Sequence, residues 1–145
     1  MTNATAVSFG YPATKVAETP FWLVLVRPKQ PTFGSLVLIC KEPAQAFSDL
    51  SGEAFADLQA AVKAIEATLR RVVGYSKINY LMLMMVDPDV HFHVIPRYEG
   101  ERNHGGAVFR DAGWPGPPDL AAAVELGPQG AAELAGLLRQ EWPRA

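Results

Sequence analysis

The chain has 145 residues, 49% hydrophobic and 19% charged, with a formal net charge of −2. That length supports one domain with a real core, and the charge balance supplies no basic footprint for non-specific nucleic-acid binding. The single Cys40 excludes an internal disulfide framework and suits a reducing compartment.

The opening residues, MTNATAVSFG, lack a basic region followed by an apolar core, so no signal peptide is read there. With the apolar run Tyr80–Val86 too short to span a bilayer, the expectation is a cytoplasmic protein with no membrane or nucleic-acid partner. Residues 1–12 are polar and punctuated by Gly and Pro, and are expected to be irregular and loosely held. Trp22–Val26 is a continuous apolar run closed by Arg27-Pro28, the pattern of a buried strand, and Leu36–Cys40 is the next. Arg27 and Lys29 lie in the turn-rich connection between them, where the solvated reading is preferred to a phosphate contact.

Ser51–Gly74 reads as the long helix. Phe55, Leu58, Val62, Ile65, Leu69 and Val72 recur at spacings of three and four and form one apolar stripe. Ser51 suits the N-cap, Arg70 and Arg71 the last turn, and Gly74 the stop. Ile78–Val86 and Val90–Ile95 then read as a hairpin joined by the tight turn Asp87-Pro88-Asp89. Residues 99–118 form a Gly- and Pro-rich stretch expected to be an irregular loop, and Pro128–Trp142 a second, shorter helix. Hairpin pairing in place of alternating β-α-β units predicts an α+β fold on an antiparallel sheet, in a single domain spanning 1–145.

Chemistry concentrates in Asp89-Val-His91-Phe-His93. Alternation along a strand puts Asp89, His91 and His93 on one face, successive Cα atoms of that set about 7 Å apart. An unprotonated imidazole can attack phosphorus, splitting one displacement into two through a covalent intermediate. It needs its other ring nitrogen tied to an acceptor, and a second donor nearby to hold the phosphoryl oxygens. A second reading makes the three side chains ligands of a divalent metal, although same-face strand residues splay too far to close a compact site and no fourth ligand is evident. Asp89 reads equally as a turn residue of Asp-Pro-Asp, its side chain bonded to backbone. Asn79, at the start of a strand, suits either a ligand contact or a backbone bond. Arg97 shares the parity of the histidines and suits either a phosphate or a solvated rim.

Asp89–Arg97, DVHFHVIPR, resembles the signature of the histidine-triad family, His-φ-His-φ-His-φ-φ followed by Pro-Arg, with Asp89 in the place of the first histidine. The resemblance runs from about Phe21 to Pro117. It includes Phe33-Gly34-Ser35-Leu36-Val37-Leu38-Ile39, similar to the family's Gly-His strand with Ser35 in place of the histidine. Phe47–Ser51 is similar to the family's turn into its main helix, and Trp114-Pro115-Gly116-Pro117 to a tail seen in a bacterial branch. The Gly-Gln loop that usually precedes the triad is missing. The resemblance implies a five-stranded antiparallel sheet with one long helix, a homodimer, and no cofactor or metal in the attack itself. It implies a hydrolase or nucleotidyl transferase acting at the α-phosphorus of a dinucleoside polyphosphate or nucleoside phosphoramidate, with His91 as nucleophile and His93 positioning the phosphate. Asp89, Ser35, Asn79 and Arg97 are the expected substrate-binding set. The alternative is a non-catalytic nucleotide-binding or regulatory module on the same fold.

Overall fold

The computed structural model describes residues 3–144, so residues 1, 2 and 145 of the expected domain, and the first two of the stretch expected to be irregular, lie outside the described residues. The elements in chain order are α1 (Ala4–Ser8), β1 (Lys15–Glu18), β2 (Trp22–Val26), β3 (Lys29–Gln30), β4 (Leu36–Cys40), α2 (Gly52–Val72), β5 (Lys77–Leu81), β6 (His91–Arg97), β7 (Glu101–His104), β8 (Ala107–Arg110), β9 (Val124–Glu125) and α3 (Gly127–Glu141). Five strands form the main antiparallel sheet in the order β1-β2-β4-β6-β5, so β6, which carries both site histidines, pairs on both edges. The α+β expectation holds in class and in elements. No helix among the described residues is long and apolar enough to cross a membrane.

The sheet is buried on both faces, which is why β2 and β4 are buried at every residue and read as continuous apolar runs. Val24, Val26, Leu36, Leu38 and Val94 belong to the large core under α2 and α3. Leu23, Leu25, Val37 and Ile39 form a second, smaller cluster on the opposite face, completed by Ala6 of α1 with Phe9 and Tyr11 packed against it. Trp22 Nε1 donates to the Ala54 carbonyl at 2.8 Å, tying β2 to the first turn of α2.

The Ser51 hydroxyl accepts from the Ala54 amide at 3.0 Å, as its N-cap reading requires. The fully buried residues of α2 are Ala54, Ala61, Ile65, Thr68 and Leu69, while Leu58, Val62 and Val72 of the expected stripe are partly buried against the same core. Phe55 is 41% exposed and stacks on Phe47 instead. At the other end Gly34, with φ +88°, lies where an added Cβ would meet Val73 Cγ2 at 2.6 Å, so only glycine lets the chain turn into β4 beneath the end of α2.

Three sequence expectations are corrected. The stretch 1–12, expected to be irregular, holds the helical turn Ala4–Ser8, because the second face of the sheet has to be covered. Residues 99–118 contain the β7–β8 hairpin, with Glu101↔Arg110 and His104↔Ala107 paired. The strand expected to run from Ile78 to Val86 stops at Leu81, since Leu81 already pairs with His93. The chain then leaves the sheet, turning at Met84 with φ 53°, and returns at Val90. The tight Asp-Pro-Asp turn is therefore the end of a longer loop that stands over the histidine face.

Two polar anchors hold this arrangement. Arg97 at the end of β6 donates Nε to Asp111 Oδ2 at 2.6 Å and Nη2 to Asp111 Oδ1 at 3.0 Å, with both side chains almost fully buried. Two further donors reach Asn79 Oδ1 at 2.8 Å and the Gly116 carbonyl at 2.8 Å. The second anchor is Asp89, whose Oδ2 accepts from the Thr5 amide at 3.1 Å and the Thr5 hydroxyl at 2.9 Å, while Asp87 Oδ1 accepts from Ser8 Oγ at 2.8 Å. Together these two carboxylates strap α1 across the histidine face.

Asp111→Ala leaves the Arg97 guanidinium buried without its counter-charge. A loss of about 3–5 kcal/mol of unfolding free energy in denaturant titration is expected, with a smaller loss in the double variant Arg97→Met/Asp111→Leu. Asp89→Ala removes the two carboxylate bonds to Thr5, leaving the backbone Asp89 N–H bond to the Thr5 hydroxyl, at a cost of about 1–2 kcal/mol local to the strap. Amide exchange at residues 5–9 should accelerate while β2 and β4 stay protected; unchanged exchange at 5–9 would show that Asp89 does not hold the helix.

Candidate functional site

His91 and His93 sit on the strap-side face of β6, paired with Ile39 and Val37 of β4. Their rings are edge to face with centroids 5.2 Å apart. Phe9, delivered by the end of α1, lies with its ring centroid 6.3 Å from His91 and 6.0 Å from His93. The histidines are 2% and 8% exposed, yet both line a cavity of about 290 Å³. Phe9 and Arg27 form one side of it, and the loop from Leu83 to Asp87 the other. Leu83, Met85 and Val86 in that loop are 46%, 84% and 90% exposed, so the mouth of the cavity is apolar.

His91 Nδ1 lies 2.7 Å from the Asp89 carbonyl oxygen. A carbonyl only accepts, so Nδ1 carries the proton and Nε2 of the neutral ring keeps its lone pair. The residue in the place of the first triad histidine thus acts through its backbone on the ring and through its side chain on α1. His93 Nδ1 is buried without a partner. Burial above all, then the nearby Arg27 charge and the neighbouring His91, push the His93 imidazole down to about 4, which leaves it neutral near pH 7.

The other expected site residues lie elsewhere. Ser35 is fully buried in the turn before β4, its hydroxyl donating to the Thr32 carbonyl at 2.8 Å and accepting from the Thr32 amide at 3.3 Å. Arg97 donates to Asn79 and to Asp111 where β5 and β6 pair at the end away from the histidines, and neither Asn79 nor Arg97 lines the histidine cavity. The physical reason is the same in each case: a buried polar group needs a partner, and these found theirs within the fold. His104 stacks at 5.3 Å on Phe33. The Asp-His-His metal set does not form, and among the described residues no group of three His, Cys, Asp or Glu is arranged to hold a metal ion. A larger concavity of about 490 Å³ at Glu42, Gln45, Asp49 and Ser51 contains no histidine or cation, so it offers an anionic ligand nothing. Sequence reading passed over Phe9, Thr5 and Ser8, whose proximity to β6 spans most of the chain. It also ranked Arg27 low, although the side chain enters the cavity.

Comparison with known proteins agrees with the fold. Solved structures resembling this one include a histidine triad protein from Bradyrhizobium japonicum, with TM-score 0.73 and 19% identity over 99% of this chain and 98% of that one. A histidine triad protein from Sinorhizobium meliloti aligns with TM-score 0.71 and 18% identity over 97% and 96%. The diadenosine triphosphate hydrolase of Plasmodium falciparum aligns with TM-score 0.65 and 13% identity over 89% and 76%. No curated protein sequence matches the chain. The HIT domain family matches residues 10–100, which takes in both histidines and the strands that hold them, and the chain belongs to the histidine-triad family.

Proposed function

We propose that this protein is a nucleotide hydrolase or nucleotidyl transferase in which His91 attacks the α-phosphorus of a dinucleoside polyphosphate or nucleoside phosphoramidate. The observation that carries the reading is the bond from His91 Nδ1 to the Asp89 carbonyl, which prepares Nε2 as nucleophile beside a cavity. In the first step Nε2 forms a bond to phosphorus as the bond to the leaving oxygen or nitrogen breaks, and the leaving group departs with that electron pair and takes up a proton. Water then attacks the nucleotidyl-histidine, giving the nucleoside monophosphate and restoring the ring; an alcohol or phosphate acceptor in place of water gives transfer. His93, neutral near pH 7, carries one ring N–H and is suited to donate it to a phosphoryl oxygen as charge develops. The same reading takes no cofactor or metal for the attack and expects two chains to associate in the cytoplasm.

The second reading, a nucleotide-binding module without turnover, draws support from how little of either histidine is exposed under the strap. The two are separated by one measurement. Incubation with an adenosine phosphoramidate or diadenosine polyphosphate should release AMP, and His91→Ala should lower the rate by at least about three orders of magnitude, as loss of a nucleophile does. Mass spectrometry of an acid-sensitive, rapidly quenched sample should show a nucleotidyl adduct on the peptide containing His91. Tight binding with no AMP release favours the binding module.

The His93 shift sets a pH dependence of stability. The folded pKa lies near 4 against about 6.5 for an unperturbed histidine, so between those values the unfolded chain binds the extra proton. The contribution is fully present above pH 6.5 and is lost as pH falls toward 4, by about 3 kcal/mol at most. Urea unfolding across that range should show a stability slope that flattens in His93→Phe; an unaltered slope would assign the acid lability to other groups.

A further inference from the structure

Among the described residues two buried side-chain polar atoms have no hydrogen-bond partner, Arg27 Nε and His93 Nδ1. Both residues line the same cavity. Orphaned buried polar atoms are rare in folded proteins, because each forfeits its hydration with nothing in return. Arg27 Nε donates in every state, whereas His93 Nδ1 donates or accepts according to tautomer, so it is the guanidinium at this cavity that lacks an acceptor. Arg27 makes no ion pair among the described residues, in contrast to Arg97, and its one fixed bond runs from Nη1 to the Lys29 carbonyl at 2.7 Å. A guanidinium only donates, so its partner must be an acceptor, and a charged one offsets most of the cost of burying it.

The cavity continues past Arg27. A second concavity, also about 290 Å³, shares Phe9 and Arg27 with the first and adds Ser8, Pro28, Lys29 and Glu125. Lys29 is exposed there and enters no ion pair among the described residues. Two carboxylates border this path. Asp87 in the first cavity already accepts from Ser8 Oγ, and Glu125 flanks the second, opposite Lys29 in the β3–β9 pair. Two histidines, a guanidinium and an ammonium thus line two adjoining concavities that share Arg27.

We propose that Arg27, extended by Lys29, is an anion-binding arm of the site that selects ligands carrying a second phosphate beyond the one presented to His91. The inference rests on the reading that this cavity receives a nucleotide phosphate, and it chooses between the two substrate classes named there. A polyphosphate chain reaches both His91 and Arg27. A phosphoramidate, with one phosphorus, leaves the guanidinium as orphaned as it is now. Arg27 is a specificity residue in this account; it holds the ligand and takes no part in bond making.

The test is calorimetric binding at neutral pH in a His91→Ala background, which keeps ligands uncleaved. Arg27→Gln should weaken diadenosine tetraphosphate binding on the order of tenfold or more and adenosine phosphoramidate binding by no more than about twofold, as loss of one charge-assisted hydrogen bond predicts. Arg27→Lys should restore part of the difference, and Lys29→Gln, an exposed change with little effect on folding, should show the same selectivity at smaller size. Equal weakening of both ligands, or of neither, overturns the proposal. Inorganic tripolyphosphate separates this failure from failure of the nucleotide reading. A shift of the Arg27 Nε–H resonance with tripolyphosphate, lost in Arg27→Gln, supports the anion arm even if no nucleotide binds. A resonance unmoved at millimolar tripolyphosphate overturns it.

Discussion

A strand buried on both faces has nowhere to put two imidazoles except under a cover, and this constraint organises the molecule. One face of β6 continues the core beneath α2 and α3 through Val94. The other carries His91 and His93 among Val37, Ile39 and Leu25, an apolar floor on which polar rings gain nothing from their surroundings. The cover is α1 with Phe9, and it is too short to stay folded alone, since an isolated helical turn pays the nucleation cost without the propagation gain. It is held by side chains that reach back from the loop before β6: Asp89 to Thr5 and Asp87 to Ser8. The site and its cover are therefore built from the same few residues.

At the other end of β6, Arg97 solves a different problem. Pro96 cannot donate to a ladder, so the strand end needs another tie. The guanidinium supplies it by gathering Asp111, Asn79 and the Gly116 carbonyl around one buried charge. The planar fork matches the carboxylate with two bonds at once, which a lysine could not do. That network pins the chain that follows β8 against the sheet and commits four of the five N–H donors of Arg97 to partners within the fold.

What could be read from the residues follows the range over which each signal acts. The strands Trp22–Val26 and Leu36–Cys40 and the capped helix from Ser51 announce themselves within a dozen neighbouring residues, and the structure has them at nearly the expected bounds. Parity alone put His91 and His93 on one face. Parity also put Arg97 there, but it says nothing about Asp111, fourteen residues on, which claims that side chain. The strap was illegible for the same reason: Thr5 and Asp89 are 84 residues apart, and nothing local in ATAVS distinguishes a docked turn from a loose terminus. Arg27 looked like an ordinary turn cation because burial is decided by Phe9 and the loop over the histidines, both distant in sequence.

Asp89 remains the substitution that most needs a physical account. A carboxylate about 4 Å from a phosphate, at an effective dielectric near 20, costs on the order of 4 kcal/mol per pair of charges, enough to empty the site. The Thr5 amide and hydroxyl both donate to one oxygen of Asp89, turning the negative charge toward the helix and away from the cavity, which Asp89 does not line. What faces the imidazole is the neutral carbonyl of the same residue, the acceptor that His91 Nδ1 requires. An aspartate at this position is compatible with an anionic ligand only while α1 occupies its carboxylate. It follows that the first residues of the chain belong to the site's electrostatics as much as to its shelter, because a chain shortened past Thr5 would release the Asp89 carboxylate from the two donors that hold it away from the cavity.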